Sequence, residues 1–179
     1  MKILVLGANG QLGRCLADEL YDIDHQVFLA SRAEIDLSNF TSTKSEIIKF
    51  GPNVVINASA YTAVDKAESD EETAYLINHK AVANIASVCH GIDCILIHVS
   101  TDYVFDGLSK ISYREDAMTN PMSVYGKSKL KGEIAIKESG CRYLILRTAW
   151  VFSKYGNNFF KTMMRIGTQK QELKIVGDQ

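Results

Sequence analysis

The sequence predicts an open, doubly wound α/β sheet of about six parallel strands, the Rossmann-type fold. Short runs rich in valine, isoleucine and leucine alternate with longer stretches of helical period. These runs lack polar alternation, which indicates strands buried on both faces. The stretches between them are long enough to form the crossover helices that parallel pairing requires.

In the first half of the chain, strands and helices alternate regularly. Leu12, Leu16 and Leu20 share one helical face, and Gly51-Pro52 stops the polar helix that carries Ile47. The predicted elements are, in order, strand 2–6, helix 11–21, strand 26–30, helix 41–50 and strand 54–57.

The second half begins with a long helical region that we expect to be continuous or broken, ending at His90-Gly91. Gly140 is the expected C-terminal cap of the next helix, and Asn157-Asn158 are candidates to cap the last one. The predicted elements are helical region 65–89, strand 94–99, helix 122–138, strand 143–147, helix 157–167 and strand 173–176.

The composition is that of an ordinary globular domain, here a single one over residues 1–179. The 179 residues are 46% hydrophobic and 23% charged, with a formal net charge of -1 and scattered lysines. This balance excludes disordered and fibrous classes and argues against nucleic-acid binding.

The sequence also argues against a membrane protein. No apolar run approaches the roughly 20 residues that a spanning helix needs, and "MKILVLGANG" is typical of a strand and not of a signal peptide. The four cysteines, Cys15, Cys89, Cys94 and Cys141, lack metal-ligand spacing and are expected to be buried, reduced thiols. We therefore expect a cytoplasmic location.

The first strand runs directly into "GANGQLG", with Gly7, Gly10 and Gly13 at three-residue intervals before a helix. Glycines allow a tight turn and close approach of a pyrophosphate, which the helix N-terminus attracts. A simple turn is the alternative. The position in a βαβ unit favours dinucleotide binding. The spacing resembles the variant found in the short-chain dehydrogenase/reductase superfamily.

The end of the second strand predicts which dinucleotide is bound. Ser31 and Arg32 stand where an NAD-specific site places an acidic residue, and a guanidinium there favours a 2'-phosphate. We expect NADPH to be used at least as well as NADH; an exposed Arg32 without a role is the alternative. Asp36 and Leu37 are expected near the adenine. In the third junction, Asn57, Ala60, Tyr61 and Thr62 are expected to face the cofactor.

The fourth strand ends in "HVSTDYVFDG", which places Ser100, Thr101 and Asp102 at the carboxyl edge of the sheet. Tyr125 and Lys129 lie four residues apart on a helix and therefore share one face. An ammonium near a phenol lowers the phenol pKa, so Tyr125 is predicted to be a general acid tuned by Lys129, with Thr101 orienting a carbonyl oxygen. We expect Lys129 also to bond the nicotinamide ribose. Such a pair is often a surface feature, but the chain order strengthens the prediction.

Five motifs in order, "GANGQLG", "NASAYTAVDKAES", "STDYVFDG", "NPMSVYGKSKLKGE" and "RTAWVFSKYGNNF", resemble the dTDP-4-dehydrorhamnose reductase family of extended short-chain dehydrogenases/reductases. The resemblance covers essentially the whole chain. It implies reduction of a C4 keto sugar nucleotide with NAD(P)H for bacterial polysaccharide synthesis. It matches catalytic positions to Thr101, Tyr125 and Lys129, cofactor contacts to Gly10, Gln11, Leu12, Asp36, Leu37, Ala60, Tyr61 and Thr62, and sugar-nucleotide contacts to Thr101, Asp102 and Trp150.

Two local features refine the resemblance. Related dehydratases carry Thr-Asp-Glu, whereas this chain has Thr101-Asp102-Tyr103, which favours simple ketone reduction. Trp150 is either a core aromatic residue or an apolar wall for the sugar. The histidines, His25, His79, His90 and His98, are scattered and are assigned no chemistry.

The chain ends at "KIVGDQ", whereas family members continue into a small lobe over the sugar nucleotide, so we expect the substrate lobe to be truncated. The resemblance allows magnesium and a homodimer for some members, although the sequence has no carboxylate cluster for a metal. Two alternatives remain: a reductase of another dTDP-keto sugar, such as a dihydrostreptose synthase type, and a non-catalytic subunit resembling the regulatory subunit of methionine adenosyltransferase.

Overall fold

The computed structural model describes residues 1–170 and 172, and its centre is a five-stranded parallel sheet. The strand order is β2-β1-β3-β4-β5, and every neighbouring pair is parallel. The predicted fold class is confirmed, while the predicted strand 173–176 lies outside the described residues. The strands are β1 (Lys2–Leu6), β2 (Gln26–Ala30), β3 (Val54–Asn57), β4 (Ile95–Thr101) and β5 (Arg142–Thr148).

Helices connect the strands as crossovers. The helical region predicted over 65–89 is broken, because a short helix precedes a second one that contains a π-helical turn, Leu76–Lys80. A 3₁₀ turn, Asp102–Val104, follows β4 directly. The α-helices are α1 (Gln11–Glu19), α2 (Phe40–Phe50), α3 (Val64–Ala67), α4 (Glu71–Tyr75), α5 (Ala81–Gly91), α6 (Val124–Glu138) and α7 (Phe159–Gly167).

The core forms around the central strands. Leu4, Val55 and Leu96 are fully buried on β1, β3 and β4, and they belong to the same apolar cluster as Ile47 of α2 and Ile85 of α5. Helices cover both faces of such a sheet, so the central strands need no polar alternation. This explains why continuous apolar runs marked them in the sequence.

Two helix ends follow the sequence signals. Gly140 has a φ of +76° directly after Ser139, the C-cap of α6, and it fulfils the predicted cap role in the left-handed region that favours glycine. Asn158 is the N-cap of α7, and its side chain accepts a hydrogen bond from the backbone N–H of Lys161.

The cysteines agree largely with the expectation of buried thiols. All four are free; Cys89, Cys94 and Cys141 are buried, whereas Cys15 on α1 is only partly buried. Within the part of the chain that the structure describes, no helix is both long and apolar enough to cross a membrane.

The strand order places a crevice at one point of the sheet. The chain runs from β1 outward to β2 and then returns to β3 on the other side of β1. The connection after β1 therefore runs toward β2, and the one after β3 runs the opposite way, toward β4. This divergence opens a crevice beyond the carboxyl ends of β1 and β3. The glycine-rich turn after β1 and the segment after β3 both border this crevice.

Candidate active site

The turn between β1 and α1 is built for close backbone approach. Gly7 has a φ of +83°, and a Cβ at Gly13 would lie 2.2 Å from the backbone oxygen of Gly7. Gly10 is the N-cap of α1, and because it has no side chain, no cap hydrogen bond occupies the first N–H groups of the helix. The first N–H groups of a helix lack intrahelical acceptors, so those of Gln11 and Leu12 are suited to an anion. This cradle fits the pyrophosphate of a dinucleotide.

A cleft of about 420 Å³ extends from this turn across the carboxyl ends of β3, β4 and β5. It brings together residues that the sequence placed on separate junctions. Those of the predicted site residues that line it are Gly10, Gln11, Leu12, Ala60, Thr62, Thr101, Asp102, Tyr125, Lys129 and Trp150.

The remaining predicted cofactor residues lie outside the lining of this cleft. Gly7 and Gly13 form the turn, and Leu37 is buried in the core. Tyr61 also packs inward, because Ala67, Ala74 and Tyr125 form an apolar cluster against it and its hydroxyl bonds Asp70. Tyr61 therefore does not line the cleft, and its expected contact with the cofactor stays a prediction.

The residues after β2 lie beside a separate depression. Ser31 borders a cavity of about 400 Å³ next to the glycine-rich turn, and it bonds Glu34. The Arg32 side chain is 82% exposed, and its Nε lies 3.5 Å from the Asp36 carboxylate. Asp36 also accepts hydrogen bonds from Ser38. Arg32 is thus exposed after β2 and held by a surface ion pair, which contributes little stability.

Tyr125 and Thr101 meet at the floor of the cleft. Tyr125 is mostly buried on α6, and the ring of Tyr103 packs edge-on against its ring at 5.6 Å between centroids. Burial raises the pKa of Tyr125, and the nearby Asp102 raises it further. The neighbouring Thr101 hydroxyl lowers this pKa but does not outweigh burial. The prediction that Lys129 lowers the pKa of Tyr125 is wrong for the free protein. A raised pKa keeps the phenol protonated at neutral pH, as a proton donor requires.

Lys129 reaches the cleft from the same face of α6, as its spacing from Tyr125 predicted, but its hydrogen bonds run to β4. Nζ donates to the backbone oxygen of Val99 at 2.7 Å and lies 3.3 Å from Nε2 of His98. The residue is only 2% exposed. Burial lowers the pKa of Lys129 from 10.5 to about 8, and the Glu133 carboxylate opposes this change.

Sequence reasoning missed the buried polar residues beneath the cleft. His98 was assigned no chemistry, yet it lies between Asn57 and Lys129. Glu133 is buried and binds Ser100 and Arg147. The available signal was polar residues within an apolar strand. His98 and Ser100 lie two positions apart on β4 and therefore share one face, which looks toward the helix that carries Lys129 and Glu133.

Asn78 holds the segment after β3 in place. It lies in the π-helical turn, and its side chain bonds the backbone N–H and oxygen of Tyr61 and the hydroxyl of Ser128. A Cβ at Gly132 would lie 2.2 Å from the Asn78 backbone oxygen, so α6 packs directly on this turn. Interruptions of this kind are frequent at functional sites, and no sequence pattern predicted this one.

Trp150 forms part of the outer wall of the cleft. It is 56% exposed, has a φ of +52°, and packs edge-on against Phe159. The core-aromatic alternative is therefore wrong. Trp150, Asp102 and Tyr103 also line a second cavity of about 670 Å³, which continues from the cleft toward Tyr113. An apolar wall with flanking polar groups is typical of a site for a small ligand.

No group of three or more histidine, cysteine, aspartate or glutamate side chains is placed to hold a metal ion in residues 1–170 and 172. The resemblance to a family with magnesium-using members gains no support from this arrangement.

Comparison with known proteins assigns the family. The family model described as RmlD substrate binding domain matches residues 1–179. The chain is 46% identical to a dTDP-4-dehydrorhamnose reductase of Burkholderia thailandensis, and the match covers 100% of this chain and 60% of that protein. It is 35% identical to a dTDP-4-keto-6-deoxy-D-glucose reductase of Streptomyces niveus, covering 98% of this chain and 62% of the relative.

Solved structures agree with this family. A dTDP-4-dehydrorhamnose reductase from Clostridium acetobutylicum superposes with a TM-score of 0.96 at 42% identity, covering 100% of this chain and 64% of that one. The enzyme from Bacillus anthracis, solved in complex with NADP, gives a TM-score of 0.90 at 37% identity. The match covers 96% of this chain and 61% of that one. The chain therefore spans about 60% of the length of its curated relatives. It belongs to the RmlD family, the family of the dTDP-4-dehydrorhamnose reductases.

Proposed function

We propose that residues 1–179 are the NAD(P)-binding domain of an NADPH-dependent reductase that converts dTDP-4-dehydro-L-rhamnose to dTDP-L-rhamnose for bacterial polysaccharide precursors. One observation carries this proposal: Thr101, Tyr125 and Lys129 line one cleft that begins at a glycine-rich anion cradle. A dinucleotide whose pyrophosphate lies at Gln11 and Leu12 would extend along this cleft toward the phenol. The NADP complex of the Bacillus anthracis relative supports this choice of cofactor.

When bound, the reduced cofactor supplies the hydride that reaches C4 of the sugar. The carbonyl π electrons then move to the oxygen, and the Tyr125 hydroxyl donates its proton there, which leaves an alcohol and a phenolate. The Thr101 hydroxyl donates to Oδ1 of Asp102 in the free protein and would turn its hydrogen to the same carbonyl oxygen when the sugar binds. A protonated Lys129 stabilises the phenolate and is expected to bond the nicotinamide ribose.

The residue after Asp102 favours reduction over water elimination. A dehydratase needs a carboxyl group that removes a proton and delivers it to the leaving hydroxyl. Here Tyr103 occupies the next position, and its ring packs against Tyr125. A tyrosine at this position does not supply that carboxyl group, which favours a reaction that ends at the alcohol.

A second candidate substrate has a specific observation behind it. The relative from Streptomyces niveus carries the name of a reductase for a different dTDP-keto sugar. Reduction of another dTDP-keto sugar, including one of the dihydrostreptose type, therefore remains the alternative. The clustered Thr101, Tyr125 and Lys129 favour either reductase over a non-catalytic regulatory subunit, which needs no proton donor.

The activity is tested with a full-length version that carries residues 1–179 and continues over the whole length of the relatives. It is mixed with NADPH and dTDP-4-dehydro-L-rhamnose, and NADPH absorbance is followed together with the product by NMR. The proposal expects NADPH oxidation and a new C4 alcohol. dTDP-4-keto-6-deoxy-D-glucose serves as the comparison substrate. Faster turnover of that sugar would reassign the substrate, and no oxidation with either sugar, despite NADPH binding, would contradict the proposed activity.

Replacing Arg32 with alanine tests the proposed preference for NADPH. The exposed guanidinium lies after β2, where the adenosine ribose is expected, so its removal should weaken NADPH binding about tenfold and leave NADH binding nearly unchanged. Fluorescence titration with both nucleotides measures the two dissociation constants. Arg114→Ala is the matched control, because Arg114 is equally exposed and pairs with Asp116 at the surface. An unchanged ratio of NADPH to NADH affinity in the Arg32 variant would refute the 2'-phosphate contact.

The remaining expectations are part of the proposal. We place the protein in the cytoplasm, acting on a small sugar nucleotide, as its cysteines and family indicate. A homodimer is expected from the family resemblance, and the near-neutral charge balance supports the expected lack of nucleic-acid binding.

A further inference from the structure

A chain of buried hydrogen bonds links the third junction to Lys129. The backbone N–H of Ser59 donates to Oδ1 of Asn57 at 3.1 Å, and Nδ2 of Asn57 lies 3.1 Å from Nδ1 of His98. Nε2 of His98 then lies 3.3 Å from Nζ of Lys129. Asn57 and His98 are fully buried, so no water competes for these contacts.

The first link fixes the orientation of the Asn57 amide. The Ser59 N–H can only donate, so it must face the amide oxygen, and the amide NH₂ must face His98. Nδ1 of His98 is therefore the acceptor. Burial holds the pKa of His98 well below its usual range, so the ring is neutral and carries one proton. That proton belongs on Nε2, which points to Lys129.

The last link then determines which form of Lys129 fits. A lysine ammonium has three donors and no acceptor, whereas the amine has a lone pair. If Lys129 is an ammonium, either tautomer of His98 leaves two N–H groups facing each other, at Asn57 or at Lys129. Only the amine accepts from Nε2–H while Nζ still donates to the backbone oxygen of Val99.

We propose that His98 is a positioning residue whose Nε2–H, fixed through Asn57, donates to Nζ of Lys129 and stabilises the amine form of that lysine in the cofactor-free protein. The ionisable groups around Lys129 are Tyr125 and Glu133 on α6, His98 on β4, Asp102 on the 3₁₀ turn after β4, and Arg147 on β5, which neutralises Glu133. Glu133 favours the ammonium, so the uncharged contact with His98 acts against it.

The consequence for turnover rests on the proposed function. While Tyr125 carries its proton, there is no phenolate for Lys129 to balance, so the amine form is sufficient. After proton donation, a phenolate requires a cation beside it. A lysine with a pKa of about 8 can take up a proton from solvent at that point, whereas an ammonium with an ordinary pKa is charged throughout.

The experiment uses the 179-residue protein without cofactor or substrate, so it is independent of the reductase proposal. Long-range ¹H–¹⁵N correlation of the His98 ring reports its tautomer, and the ¹³Cε shift of Lys129 reports its titration. The proposal expects the Nε2–H tautomer. It also expects that Asn57→Thr, whose hydroxyl can accept from Nδ1–H, moves the Lys129 midpoint upward by about one pH unit.

Asn84→Thr is the matched control, because Asn84 lies on α5 and bonds the backbone oxygen of Phe40, away from the hydrogen bonds that join Asn57, His98 and Lys129. It should leave the Lys129 midpoint unchanged. A wild-type His98 with its proton on Nδ1 would overturn the proposal, as would an unchanged Lys129 midpoint in a folded Asn57→Thr. If Asn57→Thr does not fold, the wild-type tautomer alone decides.

Discussion

Replacing Tyr125 with phenylalanine is expected to slow carbonyl reduction by about 10²–10⁴-fold with little change in NADPH affinity. The variant keeps the ring that packs on Tyr103 and loses only the hydroxyl, which lies beside Thr101. Without that hydroxyl, the forming alkoxide has no positioned proton donor. Rates of NADPH oxidation at saturating sugar nucleotide, together with a nucleotide titration, separate the loss of chemistry from a loss of binding.

Tyr143→Phe provides the matched control for this substitution. Tyr143 lies on β5 and is 44% exposed, and it does not line the cleft. Its variant should keep the wild-type rate. Near-normal reduction by Tyr125→Phe would remove the phenol from the mechanism and require another acid, even if the cofactor proposal survived.

Replacing Glu133 with glutamine is expected to lower the free energy of unfolding by about 3 kcal/mol. Glu133 is fully buried; it accepts from the Ser100 hydroxyl at 2.6 Å and from Arg147 at 2.7 Å. Glutamine can still accept from Ser100, but it leaves the mostly buried guanidinium of Arg147 without its counter-charge. Urea unfolding at neutral pH measures the change.

Asp116→Asn is the corresponding control, since the Arg114–Asp116 pair lies at the surface with both side chains more than two-thirds exposed. Exposed pairs contribute about 0–1 kcal/mol, so this variant should unfold almost as the wild type does. If both variants lose equally little free energy of unfolding, the buried Glu133–Arg147 pair does not stabilise this side of the sheet, at β4 and β5.

The sequence predicted the fold well because each signal was local. Gly51 and Gly140 ended helices, and apolar runs such as Leu4–Leu6 marked the central strands. Tyr125 and Lys129 shared a helix face because their spacing alone decides it. The glycine-rich turn was equally readable, since a Cβ at Gly13 would collide with the turn itself.

The electrostatics of the site could not be predicted in the same way. An ammonium near a phenol suggested a lowered pKa, yet burial raises the pKa of Tyr125 and lowers that of Lys129. Burial depends on the packing of α6 against β4, which is a tertiary property. The partners of His98 and Asn78 are distant in sequence for the same reason, and spacing arguments do not reach them.

A crystal structure of this protein with NADPH tests the central claim most directly, that the cleft directs a nicotinamide to Tyr125. The account predicts the pyrophosphate at the first N–H groups of α1 and the nicotinamide ring between Thr101, Tyr125 and Lys129, with Nζ moved toward the ribose. A nicotinamide bound away from the Tyr125 hydroxyl, or a dinucleotide lying outside the glycine-rich turn, would contradict it.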